Sequence, residues 1–147
     1  MKKIIISNLF SVVYVFCAAQ SESDIFGEWF NEEKDAVVTI YKDGNSISGK
    51  TTWLKEPLDS KGNAKLDLKN PDEKLRSRKR MGLKIMHSFK YNDQENIWED
   101  GRIYDPKKGK LYGGTATLVN ENELKLKGYI ISMPFLGRTA TWTRKTN

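Results

Sequence analysis

Apolar and polar positions alternate in short bursts along most of this chain, and the bursts are rich in β-branched and aromatic residues. A two-residue period of that kind marks strands with one buried face. The first clear run is Ala36 to Tyr41, which stops at Lys42-Asp43-Gly44-Asn45. Asp-Gly signals a tight hairpin there, because glycine accepts the positive φ such turns need. Ser46 to Leu54 returns, with Ile47, Gly49, Thr51 and Trp53 on one face. Further strands are predicted over residues 83–91, 97–104, 110–119, 124–131 and 138–144, with polar turns at 92–96, 105–109, 120–123 and 132–135. The short piece around Trp29 brings the total to about eight antiparallel strands in up-and-down order. No repeat or linker interrupts them, so residues 20–147 read as one all-β domain.

Residues 55–82 break the pattern. Asn70-Pro71-Asp72-Glu73 carries the marks of a helix start, with a capping Asn, Pro at the first helical position and acids in the first turn. Arg76, Arg78, Lys79 and Arg80 follow where cations complement the carbonyl end of a helix, and Gly82 suits the stop. A short helical insert over about residues 71–81 is therefore expected, lying across one end of the sheet. It also accounts for the basic run without nucleic acid.

Composition changes the picture at the N-terminus. Lys2-Lys3, the mostly apolar stretch from Ile4 to Ala18 and small residues before Gln20 read as a secretory signal peptide covering residues 1–19, cut after Ala19. The expected location is the periplasm or the extracellular space. Cleavage would remove the single cysteine and take the net charge from +6 to +4. Disulfides, thiolate nucleophiles and cysteine-ligated metals then drop out. The residual positive charge favours peripheral contact with an anionic envelope surface, and an exported domain is not expected to meet nucleic acid.

Several motifs occur in a telling order. Asp24-Ile25-Phe26-Gly27-Glu28-Trp29 comes first, then Ile47-Ser48-Gly49-Lys50-Thr51-Thr52-Trp53-Leu54 and Asp67-Leu68-Lys69-Asn70-Pro71-Asp72. Leu75-Arg76-Ser77-Arg78, Met81-Gly82-Leu83 and Gly101-Arg102-Ile103-Tyr104-Asp105-Pro106 with Gly109 and Tyr112 follow, and Leu136 to Arg144 closes the series. Over about residues 24–145 the chain resembles DUF2147, a family of uncharacterised exported bacterial proteins. The resemblance implies a lipocalin-like barrel but brings no settled activity. Ala140 departs from it, standing where family members often carry glutamine or a similar polar residue. Gly27 and Trp29 on the first strand and Arg144 on the last also resemble the paired ends of lipocalin-like barrels. There the indole plugs one end and the guanidinium stacks on it, a contact worth roughly 0.5–2 kcal/mol.

Candidate chemistry is sparse. His87 is the single histidine and falls on the apolar face of its predicted strand, a position that suits a packed core histidine better than a catalyst or ligand. No metal site, cofactor or catalytic residue is predicted. Asp67 with Asp72, or Asp100 with Asp105, could supply paired carboxylates for a hydrolase, but Asp72 and Asp105 are explained by a helix start and a turn. On the last strand Arg138, Ala140, Trp142 and Arg144 alternate with threonines, which points Arg138 and Trp142 inward. Arg138 then needs an anionic ligand or an inward acid such as Asp67 or Glu99. Trp53, Tyr104 and Tyr112 are candidate cavity-lining aromatics, and Asp67 and Asn70 sit on the insert over the mouth. Along 97–104 the pair Ile97 and Ile103 argues that their face is inward. Glycines inside the strands at 49, 101, 113, 114 and 128 fit either bends or room for a ligand. The leading expectation is a non-enzymatic envelope protein binding a small amphiphilic or acidic molecule. A structural or interaction module without a ligand is the alternative, and a carboxylate-dependent hydrolase the minor one.

Overall fold

The computed structural model describes residues 19–146. Except for Ala19, the residues read as a signal peptide lie outside that range. Eight strands form one closed antiparallel barrel: β1 (Gly27–Phe30), β2 (Ala36–Asp43), β3 (Ser46–Leu54), β4 (Lys84–Asn92), β5 (Ile97–Asp105), β6 (Lys110–Asn120), β7 (Glu123–Ile130) and β8 (Met133–Arg144). Each strand pairs with its neighbours in sequence, and β1 closes against β8 through Trp29 opposite Arg144 and Phe30 opposite Thr143. The predicted lipocalin-like, up-and-down all-β barrel is thus the fold observed. Gly44 turns β2 into β3 at φ +61°.

Two elements differ from the sequence prediction. No helix spans residues 71–81; a single 3-10 turn, Glu73–Leu75, stands in its place. Its N-cap is Asp72, which accepts from the Lys74 amide at 3.0 Å, and not the predicted Asn70, which accepts from the Asp72 amide at 2.9 Å. The segment lacks the apolar stripe that would fold a helix against the barrel, having only Leu75 and Met81 among charged residues. The loop at 132–135 is also shorter than predicted. Ile130 pairs with Met133, and the register then slips so that Tyr129 next faces Gly137. Pro134, which has no N–H for a ladder, falls in that irregular stretch.

The core gathers at one end of the cylinder, where Trp29, Ile40, Ile47, Phe89, Trp98 and Leu124 are fully buried. Irregular residues decide which side chains enter it. Ser88 at φ +59° shifts the facing of β4, so that Met86 and Phe89 are buried while His87 is only half-buried. Asp100 at φ +58° does the same on β5, burying both Trp98 and Gly101. The predicted inward face of residues 97–103 therefore holds only past Asp100. The strand glycines serve a third purpose beside the two expected. A Cβ at Gly101 would lie 2.4 Å from the Phe89 ring, and one at Gly113 would lie 2.2 Å from the Tyr129 ring. Large rings occupy the space that these glycines leave.

Candidate functional site

The two ends of the barrel are built differently, and the contrast defines the site. At the sealed end the 3-10 turn Glu22–Ile25 lies beneath the strands. The Trp29 indole donates to the Ile25 carbonyl at 2.8 Å. The Arg144 guanidinium covers its ring, with Cζ 4.2 Å from the centroid. Arg144 also donates to the carbonyls of Phe26 at 2.8 Å and Asp24 at 2.7 Å, and to that of Glu121. Glycine is required at position 27, because φ is +124° and a Cβ would approach Arg144 Nη1 to 2.9 Å. Gly27, Trp29 and Arg144 therefore meet as the closing cluster expected for them.

At the other end the insert 55–83 and the turns after β1, β5 and β7 surround an open mouth. The insert is pinned by Asp67, whose side chain is fully buried. Its carboxylate accepts from Tyr104 Oη at 2.6 Å, Asn70 Nδ2 at 2.8 Å and Arg78 Nη2 at 2.9 Å. Burial pushes the Asp67 carboxyl up, but the hydrogen bonds from Tyr104, Arg78 and Asn70 outweigh it and hold it below the usual carboxylate range. Burial and the adjacent Asp67 push Tyr104 up to about 12. A second fastening lies at Gly109, where φ is +67° and a Cβ would fall 1.9 Å from the Lys69 carbonyl oxygen.

Between the sealed end and the mouth lies a cavity of about 780 Å³. Val38, Ile85, Ile103, Leu126, Ala140 and Trp142 form much of its apolar wall. Six cations (Lys55, Lys65, Arg80, Lys107, Lys108 and Arg138) and four carboxylates line it as well. Lys107 pairs with Asp35 at 2.6 Å and Lys65 with Glu56 at 3.2 Å. Arg80 donates instead to the carbonyls of Leu66 at 3.1 Å and Pro106 at 3.2 Å, and among the described residues neither it nor Lys55 has a carboxylate partner. An apolar chamber with a net cationic lining suits a molecule that has both a hydrocarbon part and an acidic part.

The residues singled out from the sequence fall into three groups. Trp142, Tyr104, Tyr112 and Arg138 line the cavity. Arg138 pairs with Glu32 in the β1–β2 loop, and neither Asp67 nor Glu99 is its partner; Glu99 instead accepts from Asn92 at 2.9 Å. Asp67 and Asn70 do not line the cavity and form the anchor behind it. Trp53 is outside altogether, 41% exposed and edge-on to Phe30 with ring centroids 6.0 Å apart. A register shift opposite Val37 and Val38 reverses the facing of β3 just before it. His87 leaves the core for a small side pocket beside Asn70, Arg78, Lys84 and Tyr104. Burial first, and Lys84 second, hold its pKa down.

A profile of the family described as "Uncharacterized protein conserved in bacteria (DUF2147)" matches residues 27–144. The chain belongs to the DUF2147 family. Comparison with curated proteins gives no match. Among solved structures, this DUF2147 barrel is similar to protein HP1028 from the human pathogen Helicobacter pylori, described as belonging to the lipocalin family. The TM-score is 0.63 at 20% identity, covering 76% of this chain and 73% of that one. That likeness speaks for the fold.

The carboxylates weighed for hydrolysis have other work in this DUF2147 protein. Asp67 anchors the insert, Asp72 caps the 3-10 turn and Asp100 lies near Lys90 at the surface. Asp105 alone of the four lines the cavity, where it accepts from the Lys107 amide at 2.9 Å. Among the described residues no group of three or more His, Cys, Asp or Glu is placed to hold a metal ion. Sequence reasoning missed Glu32, Lys55, Arg80 and Leu136 as parts of the mouth. Leu136 was within reach, because it continues the series 138, 140, 142 on β8.

Proposed function

We propose that this protein is exported to the envelope and holds one small amphiphilic acid, with its hydrocarbon part in the barrel and its acidic group at the cationic mouth. The observation carrying this reading is the unfilled, apolar-walled cavity that opens among Arg138, Arg80 and the rim lysines. Eight-stranded barrels can be packed solid with side chains or can hold a single ligand. An interior left open supports the second use over a purely structural barrel. The volume lies within the usual range of pockets for small organic ligands. Export rests on the character of residues 1–19.

Titration with a fluorescent long-chain fatty acid tests the reading. Saturable one-to-one binding is expected, weaker by about tenfold for the matching alcohol, since that headgroup forgoes the charge-assisted contacts. Filling the chamber by Ala140→Trp should abolish binding while leaving the fold intact. Equal binding of acid and alcohol, or no saturable binding, would overturn the reading.

A further inference from the structure

The cavity accounts for the interior but leaves one surface feature without a use. From Gly128 to Gly137 the chain carries no charged residue, and this stretch forms the end of the β7–β8 hairpin. Ile130, Ile131, Met133, Phe135 and Leu136 are all exposed, Phe135 at 79%. Five large apolar side chains on one protruding turn form the kind of contiguous patch that marks an interaction site, unlike a lone surface leucine. The barrel gains nothing from them, because the sealed core lies at the opposite end.

Position and charge identify what covers the patch. Ile130 and Leu136 line the cavity mouth, whereas Ile131, Met133 and Phe135 do not. The apolar surface thus faces both toward the opening and away from it. A protein partner resting on one side of the hairpin would leave the other side wet. A bilayer entered end-on removes both from water together. Around the same opening the lining holds six cations against four carboxylates, with Glu32 on Arg138 as a fifth, and Arg80 and Lys55 are left without a carboxylate partner among the described residues. Apolar side chains ringed by excess positive charge complement an anionic lipid surface, in which the tip enters the headgroup region and the cations meet phosphates. The depth must be shallow. β8 pairs with β1 only at Thr143 and Arg144, so the outer edge of its first half has no strand partner and must stay within reach of water or headgroups.

From these observations we infer that the β7–β8 hairpin is a membrane-docking element that seats the open mouth of the barrel on an anionic lipid surface. The inference goes beyond the proposed ligand and does not depend on the cavity being filled. If both hold, the ligand can pass between bilayer and barrel with little exposure of its hydrocarbon part to water.

Flotation with vesicles of phosphatidylcholine, alone or with about a third phosphatidylglycerol, tests the docking. The parent should float with the anionic vesicles and lose most of that binding at high salt. The double substitution Ile131→Glu with Phe135→Glu should lower partitioning at least tenfold while circular dichroism and fatty-acid binding are unchanged. Parent and variant share whatever N-terminus the host leaves, so residues 1–19 cannot produce the difference. A Phe135→Trp variant should show a blue shift in emission on adding anionic vesicles. Equal flotation of parent and double variant, or flotation of neither, would overturn the inference. So would a double variant that only converts a dimer to a monomer, because the patch would then serve a second copy of the chain. Loss of fatty-acid binding with flotation retained would count against the cavity reading and leave the docking standing.

Discussion

The sealed end and the open mouth use the same residue types to opposite effect. At the sealed end an arginine is spent on structure: Arg144 stacks on Trp29 and donates to three main-chain carbonyls. At the mouth Arg138 reaches only Glu32, with its side chain 72% exposed. Trp29 is fully buried within the sealed core, while Trp142, in the same buried cluster, also forms part of the wall where the core gives way to the chamber. Under the proposed function, stability and recognition are separated along the barrel axis. Substitutions at the sealed end should therefore cost folding, and those at the mouth should cost binding.

The largest effect is expected for Trp29→Ala, which empties the middle of the sealed core and should lower unfolding free energy by about 3–5 kcal/mol in a denaturant titration. Asp67→Ala comes next at about 3 kcal/mol, because it strands Tyr104 and part of Arg78 without an acceptor. If the insert were merely draped over the mouth, this change would be nearly silent. Arg144→Ala should cost about 2 kcal/mol through the lost stacking and carbonyl contacts.

Titration sharpens the comparison. Asp67 is held below the usual carboxylate range, so its contribution is complete above the unfolded value and is lost as pH falls through the folded one. Acid unfolding of Asp67→Asn should therefore depend less steeply on pH than that of the parent. Tyr104 acts on the other side: its contribution is complete below its ordinary value near 10 and is lost as pH climbs toward about 12. Tyr104→Phe should flatten the stability profile across that alkaline interval. The smallest stability effect belongs to Arg138→Ala, within about 0.5 kcal/mol for an exposed ion pair. The same variant should weaken fatty-acid binding, which separates the two ends most cleanly.

How far the sequence foretold this depends on regularity of the backbone. Trp29 with Arg144 was legible because closure makes the first and last strands neighbours, and both residues sit in unbroken ladder positions. Arg138 and Trp142 were legible because two-residue alternation runs without a break from 138 to 144. Trp53 and His87 were not. One shifted register on β3 and one on β4, between Lys84 and Met86, reverse their facing, and neither Thr52 nor Ile85 advertises such a role. The insert was half legible: Asn70 does bond to the chain ahead of the turn, but the cap moves to Asp72, and the helix announced lacks an apolar face to bury. Asp67 stood out as an acid in an odd place. Its decisive partner, Tyr104, lies 37 residues away and could be supplied only by the fold. Glu32 carried no signal, since it sits in a short charged loop with no periodicity.

The central claim is that the barrel interior is a binding chamber. Native mass spectrometry of protein isolated from its own envelope tests it most directly. The parent should carry one amphiphilic acid per chain, and Ala140→Trp should emerge bare. If both run at the mass of the polypeptide alone, or both carry the same adduct, the chamber is not the binding site.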